Sequence, residues 1–501
     1  MKYKIKMYVL LALLAIQWQT KATEKKVGQT VISGKLGNGM ERFEGGEFSF
    51  DVYDQNASAR LKTFTSQIKC TIKDKRFTIS VPNNEPYVYA SISLVDREGN
   101  STIFNSNYGD VTPLLYKLGD SLNMTLFTGG LIEFLGNSAS LPSCQQNIYL
   151  AGNMPLGALE CGIMLRRERR FQAAFDLHYR FLYIQFQTGL QIMEGYKNQL
   201  SKYEIDLITI DLKSKLYCDA FKSIYNGSFR MPSSINQQAK GFIYKTRDEL
   251  KSFKNNPTSL HSIYFGKAFL LNEMAGLSTS YGTDGSYQLS FQELTDSITA
   301  HYSGELRSKI LMNSFLDGLT KSMRGRTSLY NQVVKVMDNG PSKKMLASYI
   351  EKTLDKAKAF AFDLPNPEGI RHRLEHYEGK VIIADFWFTG CHGCVGMTPA
   401  LRKVYEKFNN NKNIVWLSIN ITNTMDSWKK GLESGDYTFP GQIHLSTIGN
   451  GFAHPLLKHY NYSSFPSLLI IDQSGKTIAT YPPDPRFDGG KGLEKLIDSL
   501  L

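Results

Sequence analysis

The sequence predicts a protein of three folded parts: an N-terminal antiparallel β domain, a central all-α region and a C-terminal α/β domain. The length of 501 residues allows about three domains of ~100–200 residues each. The hydrophobic pattern alternates before residue 150, becomes helical after it, and changes again near residue 360. A composition of 42% hydrophobic and 21% charged residues is typical of globular proteins and argues against a disordered or multispan membrane chain.

The net charge of +12 does not by itself indicate a nucleic-acid partner. Between Ala361 and Leu501, the 14 Lys and Arg residues are balanced by 14 Asp and Glu residues. The basic run from Arg166 to Arg170 is interrupted by Glu168 in a helical pattern, which is typical of a solvated helix face. We therefore expect no nucleic-acid partner.

Residues 1–22 have the pattern of a signal peptide. Three lysines precede an apolar stretch from Met7 to Ile16, and Thr20 and Ala22 occupy small-residue cleavage positions. The apolar stretch is shorter than the ~20 residues that span a bilayer, so cleavage is favoured over the alternative of an uncleaved membrane anchor. No Cys follows it that could carry a lipid. We expect export, to the periplasm in a bacterium, and hence a membrane redox partner if a thiol pair is to be recycled there.

Residues 27–150 are predicted to form a β-sandwich-like accessory domain. Turn residues recur at a spacing of ~8–12 residues, which is typical of a sandwich or a barrel. No residues in this segment have catalytic spacing. The runs that predict strands are TVISGKL, EFSFDVY, RFTISV, YVYASISLV, STIFNS and SLNMTLF.

Residues 151–358 are predicted to form consecutive helices. Their aromatic residues recur at helical spacing, which indicates core packing rather than chemistry. Asp338-Asn339-Gly340-Pro341 predicts a stop between two helices. Two capping boxes mark helix starts: Ser201 with Glu204, and Ser290 with Glu293.

The chemistry is predicted in residues 360–501. The apolar run Val381 to Trp387 is typical of a buried strand, and it leads to Cys391-x-x-Cys394, after which Thr398 to Phe408 is helical. A helix N-terminus stabilises a thiolate through its free amides and dipole. Cys391 is therefore the predicted nucleophile, and Cys394 is placed to resolve the mixed disulfide.

Residues 360–501 resemble the thioredoxin fold, and within it the exported TlpA-like thiol:disulfide oxidoreductases of the AhpC/TSA superfamily. The ending of the chain is similar to that of multidomain members from Bacteroidetes-type bacteria. The resemblance rests on Asp385-Phe386-Trp387, the Cys391–Cys394 motif, Pro399, the stretch from Tyr462 to Gly475, and Pro482-Pro483-Asp484-Pro485-Arg486.

The resemblance implies that Asp385 is a buried acid that accepts the Cys394 proton. Burial raises the pKa of a carboxyl, which suits a base working near neutral pH. It also implies that Pro466 is a cis-proline facing the thiol pair. Phe465, Pro466, Trp387 and His392 are the expected substrate contacts. The expected substrates are exported proteins with cysteines or disulfides, apocytochrome c among them, and no cofactor or metal is expected.

Two departures from the family pattern limit these expectations. Met397 stands where many TlpA-like proteins have a Glu, so acid–base work falls on Asp385 alone. The inner dipeptide is His392-Gly393 instead of the Gly-Pro of thioredoxins. A protonated His392 would favour the Cys391 thiolate, but the direction of electron flow stays open.

The same residues are compatible with other functions. The Cys pair could be a structural disulfide, or a zinc site with His372 and His376. A peroxiredoxin would need Thr-x-x-Cys, and Thr389 has the wrong spacing. A noncatalytic binding protein with a vestigial redox domain is the alternative from another class.

Four further cysteines lie outside the motif, and the sequence leaves open whether they form two disulfides or stay thiols. They are Cys70, Cys144, Cys161 and Cys218.

Overall fold

A computed structural model describes residues 28–501, except 54–64, 98–100, 108–109, 153–159, 163, 166–167, 169, 229–232, 254–255, 281–289, 317–325, 354–357, 423, 449–450, 452–453, 461 and 463–464. The predicted signal peptide lies outside these residues. Within them, no helix is long and apolar enough to cross a membrane.

The N-terminal part is built from two main β-sheets with a shared core. One has the strand order β11-β10-β1-β4, and the other has β3-β2-β5-β6 with β9 also paired to β5. Alternate side chains of β4 are buried, as expected for a sheet with one face in a core. The strands are β1 (Gln29–Leu36), β2 (Glu47–Tyr53), β3 (Thr65–Thr71), β4 (Arg76–Pro82), β5 (Tyr87–Val95), β6 (Ser101–Ile103), β7 (Ser106–Asn107), β8 (Asp110–Val111), β9 (Leu114–Lys117), β10 (Leu122–Leu126) and β11 (Ile132–Leu135).

The prediction of a wholly antiparallel domain is wrong for one pair of strands. β1 and β10 run parallel, with Ile32 opposite Leu122. The two strands are far apart in the chain, so a long connection can return β10 in the same direction as β1. The six predicted runs all contain strand residues, whereas β3, β8, β9 and β11 were not predicted.

The central part is helical, as predicted. The helices are α1 (Ser140–Ala151), α2 (Phe171–Tyr196), α3 (Lys202–Ser228), α4 (Ser233–Ser252), α5 (Phe265–Ser280), α6 (Phe291–His301), α7 (Gly304–Leu316), α8 (Arg326–Val336) and α9 (Pro341–Thr353). Both capping boxes are present, at Ser201 with Glu204 and at Ser290 with Glu293. Helix α1 lies inside the segment that the sequence assigned to the β domain, and it packs on both β9 and α2.

An apolar cluster joins the N-terminal sheets to these helices. Tyr89 of β5 and Cys144 of α1 are buried in it with residues of α2 and α3. The Asp211 carboxylate at its edge accepts hydrogen bonds from the Tyr89 hydroxyl at 2.6 Å and the Ser262 hydroxyl at 2.5 Å. Burial nevertheless raises the pKa of Asp211 to about 7.

The C-terminal part has a five-stranded sheet in the order β16-β15-β14-β17-β18, with β14, β15 and β16 parallel and β17 and β18 antiparallel to their neighbours. Helices cover both of its faces, so β14, β15 and β17 are buried along their whole length. The elements are β12 (Asp363–Pro365), β13 (Arg371–Arg373), β14 (Val381–Trp387), α10 (His392–Phe408), β15 (Ile414–Asn420), α11 (Met425–Ser434), β16 (Ile443–Ser446), α12 (Pro455–His459), β17 (Ser467–Ile471), β18 (Thr477–Ala479), α13 (Pro485–Asp488) and α14 (Lys491–Asp498).

Candidate active site

The central strand β14 positions the acid of the site. Val381 and Ile383 lie on one face of the sheet and pack in a single apolar cluster with Met397 and Leu401 of α10. Successive side chains of a strand alternate between its two faces, so Asp385 lies next along the same face. Asp385 is therefore directed towards the first turns of α10.

Helix α10 brings the cysteines to the same place. Its buried residues Cys394, Met397, Leu401 and Val404 follow one helical stripe. Met397 and Leu401 pack against the part of β14 that precedes Asp385. Trp387, two residues after Asp385, packs in a cluster with both cysteines. Cys394, the first residue of the buried stripe of α10, therefore lies at the level of Asp385 on the face of β14 that packs against this helix.

Cys391 and Cys394 form a disulfide, with their Cα atoms 5.2 Å apart. Cys391 is the N-cap of α10, and its sulfur accepts a hydrogen bond from the Cys394 backbone N–H at 3.1 Å. The same contact and the helix dipole would stabilise a Cys391 thiolate in the reduced protein. In the oxidised form Cys391 is 5% exposed and Cys394 is 2% exposed.

Asp385 is 3% exposed. Burial raises its pKa to about 7, and the positive charge of Arg486 opposes this rise. Its Oδ1 atom is buried and has no hydrogen-bond partner among the described protein atoms. A buried polar atom without a partner is costly, so this carboxyl is suited to exchanging a proton with a group that changes during a reaction.

The Phe465–Pro466 peptide bond is cis, as the family resemblance implies. Pro466 lies against the motif, because a Cβ atom added to Gly393 would be 3.1 Å from Pro466 Cδ and 3.6 Å from the Phe465 carbonyl oxygen. The Phe465 ring meets that of Phe388 edge-on, with centroids 6.2 Å apart. His392 is exposed and Phe465 and Pro466 are half-buried, so these three of the four predicted contacts are partly open to solvent beside the Cys pair.

Trp387 is fully buried, and it supports the loop before Cys391. Its indole N–H donates to the Ser418 hydroxyl at 2.7 Å, and its ring stacks on Tyr437 at 4.7 Å. The Tyr437 hydroxyl accepts a hydrogen bond from the Gly390 backbone N–H at 2.8 Å. Gly390 has a φ of +95°, which a side chain would disfavour. Because Trp387 is enclosed, it holds the loop in place and is not available to touch a substrate.

Arg486 also contacts the motif, and the sequence showed it only as part of a proline-rich ending. Its guanidinium donates a hydrogen bond to the Gly393 carbonyl oxygen at 3.2 Å and forms an ion pair with Asp484 at 2.5 Å. Tyr437 and Arg486 were missed because only the fold brings them to the Cys pair. No local spacing signals either residue.

His372, one of the two histidines of the alternative zinc site, makes a different contact. His372 Nδ1 is 2.7 Å from the Tyr377 hydroxyl. Among the described residues, no group of three or more His, Cys, Asp or Glu side chains could hold a metal ion. Cys70, Cys144, Cys161 and Cys218 are not in disulfides.

Known proteins are similar to a part of this chain. A family model described as Thioredoxin-like matches residues 379–477. The thiol-disulfide oxidoreductase ResA of Geobacillus kaustophilus is 28% identical over 115 residues, which are 23% of this chain and 62% of that protein. The thioredoxin-like protein YneN of Bacillus subtilis is 27% identical over 117 residues, which are 23% of this chain and 63% of that protein. The match thus spans about three fifths of the length of these relatives.

Solved structures are also similar to about a third of this chain. A putative thiol-disulfide oxidoreductase from Bacteroides vulgatus is 26% identical and covers 30% of this chain and 99% of its own, with a TM-score of 0.26. The C-terminal domain of a putative thiol-disulfide oxidoreductase from Bacteroides thetaiotaomicron is 21% identical and covers 30% and 97%, with a TM-score of 0.26. The family match at residues 379–477 contains both the Cys pair at the start of α10 and the cis-proline against it, so this segment of the chain is thioredoxin-like.

Proposed function

We propose that this protein is a thiol:disulfide oxidoreductase that exchanges disulfides with proteins outside the cytoplasm through Cys391 and Cys394. The observation that carries this proposal is the convergence of three groups. The Cys pair begins α10, the cis-proline Pro466 lies against Gly393 between the two cysteines, and the buried Asp385 lies behind them. A structural disulfide needs neither the acid nor the proline.

In the reducing direction, the Cys391 thiolate attacks one sulfur of a substrate disulfide. A mixed disulfide forms, the substrate S–S bond breaks, and the first substrate sulfur leaves as a thiolate. Cys394 then gives its proton to the Asp385 carboxylate, and its thiolate attacks the Cys391 sulfur. The second substrate sulfur leaves, the Cys391–Cys394 bond forms, and two electrons have passed to the substrate.

The surroundings of each cysteine support this division of roles. The Cys394 N–H and the helix dipole favour the thiolate at Cys391. A pKa of about 7 lets Asp385 accept a proton and return it near neutral pH. A dithiol donor must then reduce the pair again before another cycle.

The proposed location is outside the cytoplasm, where a membrane redox partner would supply that dithiol. The lysines and the short apolar stretch in residues 1–22 support export. Cell fractionation with the mass of the mature N-terminus tests this part. A cytoplasmic protein with an intact N-terminus would contradict it.

The activity is tested by insulin-disulfide reduction with dithiothreitol as the electron donor, measured above the uncatalysed rate. Cys391→Ser is expected to abolish the catalysed rate, because no nucleophile remains to form the mixed disulfide. Cys394→Ser is expected to accumulate mixed disulfides through Cys391. Cys161→Ser, at an exposed cysteine outside the motif, is the matched control and should retain the wild-type rate.

A wild-type rate no faster than that of Cys391→Ser would contradict the proposal. Rapid consumption of hydrogen peroxide with no insulin reduction would favour a thiol peroxidase instead. Reduction potentials measured in a glutathione buffer then determine in which direction the pair works.

A further inference from the structure

We propose that Arg486 is a positioning residue of the redox site: it fixes the inner dipeptide of the Cys motif and places a positive charge at the start of α10, towards which Asp385 is directed. This inference rests on the proposed function, because it concerns the reaction of the same Cys pair. It adds a residue from α13, whose four residues, Pro485–Asp488, lie close to the C-terminal end of the chain.

The first support is the contact between Arg486 and the motif. One guanidinium nitrogen, Nη1, donates to the Gly393 carbonyl oxygen at 3.2 Å. It also lies 3.9 Å from where a Gly393 Cβ atom would be, next to Pro466. Gly393 directly precedes Cys394, so the guanidinium lies against the turn that the disulfide closes.

The second support is that Arg486 is held in place. Asp484 accepts hydrogen bonds from its Nε at 3.0 Å and from its Nη2 at 2.5 Å, and it also accepts the Arg486 backbone N–H at 2.9 Å. A planar guanidinium bound in this forked way keeps one orientation better than a lysine ammonium would. The nitrogen that remains is the one directed at Gly393.

The third support is the electrostatic surroundings of Asp385. Among the described residues, Arg486 of α13 is the charged group that acts on Asp385, and it is paired with Asp484. Cys391 and Cys394 can acquire charge when they are reduced, and they begin the helix that packs on the same face of β14. Its register partners on the flanking strands are Ser418 of β15 and Leu468 of β17, neither of which titrates near neutral pH.

Burial and the charge of Arg486 have opposite effects on the ionisation of Asp385. Burial alone disfavours the Asp385 carboxylate, and the guanidinium partly offsets this. The carboxylate is the form that accepts the Cys394 proton, so Arg486 extends resolution of the mixed disulfide to lower pH.

The test is the pH dependence of single-turnover resolution, started from a mixed disulfide between Cys391 and a small thiol. In Arg486→Gln, the pH midpoint below which resolution slows should rise by about one unit, which makes resolution roughly tenfold slower below that midpoint. Arg486→Lys keeps a charge but loses the fork, so its midpoint should fall between those of the wild type and Arg486→Gln. Arg371→Gln removes the Arg of another Arg–Asp ion pair, with Asp363 at 2.8 Å, and should leave the midpoint unchanged.

Equal pH midpoints in wild type, Arg486→Gln and Arg371→Gln would overturn the inference while leaving the proposed function intact. An inactive wild-type protein would instead remove the proposed function itself. If Arg486→Gln does not fold, Arg486→Lys provides the test. A folded Arg486→Lys protein whose pH midpoint equals that of the wild type, or lies at lower pH, would contradict the inference that the guanidinium must be held in place. In an Asp385→Asn background, Arg486→Gln should no longer move any midpoint.

Discussion

At Asp385, burial disfavours the charge that the proposed reaction requires. The folded-state pKa of about 7 lies above the ordinary value of 3.8, so the native protein binds this proton more tightly than the unfolded chain does. Its contribution to stability is therefore fully present below about pH 4 and is lost as the pH rises through 7. Ionised Asp385 costs the fold on the order of 4 kcal/mol above that pH.

Asp385→Asn should move stability and rate in opposite directions. The substitution removes the ionisation cost but leaves a buried amide, so the variant should be more stable than the wild type at pH 8 and no more stable at pH 4. Resolution of the mixed disulfide should slow by ~10²–10⁴-fold, because the general base is lost. Urea unfolding at both pH values, with single-turnover kinetics, measures both effects.

Either of two results would contradict this account of Asp385. One is an insulin-reduction rate and pH profile that do not change in Asp385→Asn. The other is a stability difference between the two proteins that is the same at pH 4 and pH 8.

At the scale of the element, α10 shows what its sequence could and could not predict. The strand before it was predicted with its observed bounds, because an uninterrupted apolar run has few other interpretations. The helix was predicted from Thr398, whereas it begins at His392. Its first turns contain Gly393 and Gly396, which disfavour a helix locally, and the capping contact at Cys391 and the packing of Cys394 and Met397 override that preference.

The two glycines of α10 give a matched pair of substitutions. Gly396→Ala meets no atom within 4 Å and should stabilise the protein by about 0.5–1 kcal/mol through helix propensity. Gly393→Ala has the same propensity gain, but its Cβ would lie 3.1 Å from Pro466 Cδ. We expect it to slow formation of the mixed disulfide at least several-fold, because the new methyl group displaces the proline that borders the motif.

Thermal unfolding and the rate of mixed-disulfide formation distinguish the two variants. If Gly393→Ala and Gly396→Ala have equal rates, the contact between Gly393 and Pro466 is unimportant for substrate access.

At the scale of the whole molecule, the sequence predicted the three regions but not how they meet. The interface between the N-terminal sheets and the helices depends on residues such as Tyr89 and Asp211, which are 122 positions apart. Hydrophobic periodicity reports local structure and carries no information on such pairings. For the same reason, the cis-proline was recognised through its motif, whereas Tyr437 and Arg486 were not recognised as parts of the site.

Cys144 is a natural reporter for this interface. Its side chain is 0% exposed within the apolar cluster, and burial raises its thiol pKa to about 12, whereas Cys161 is exposed. N-Ethylmaleimide should therefore modify Cys161 at least ~100-fold faster than Cys144, since the thiolate is the reactive form. Tyr89→Phe removes the hydrogen bond to Asp211 and should accelerate modification of Cys144 about fivefold or more, with Cys161 unchanged.

Peptide-resolved mass spectrometry follows both cysteines in one sample, and Cys161 is the internal control. If Tyr89→Phe leaves the Cys144 rate unchanged, the interface does not open locally, and Cys144 reacts only when the whole protein unfolds.

The small ring closed by the Cys391–Cys394 disulfide, with a sequence separation of 3, has a thermodynamic consequence. Folding and oxidation form a closed cycle, so the difference in unfolding free energy between the oxidised and reduced protein equals the difference in oxidation free energy between the folded and unfolded chain. Such a short ring restricts the unfolded chain by only about 2 kcal/mol. If the measured difference in unfolding free energy departs from that value, the departure gives the free energy by which native contacts at the sulfurs favour one redox form. A departure of about 1.4 kcal/mol corresponds to a difference of ~30 mV between the reduction potentials of the folded and unfolded chain.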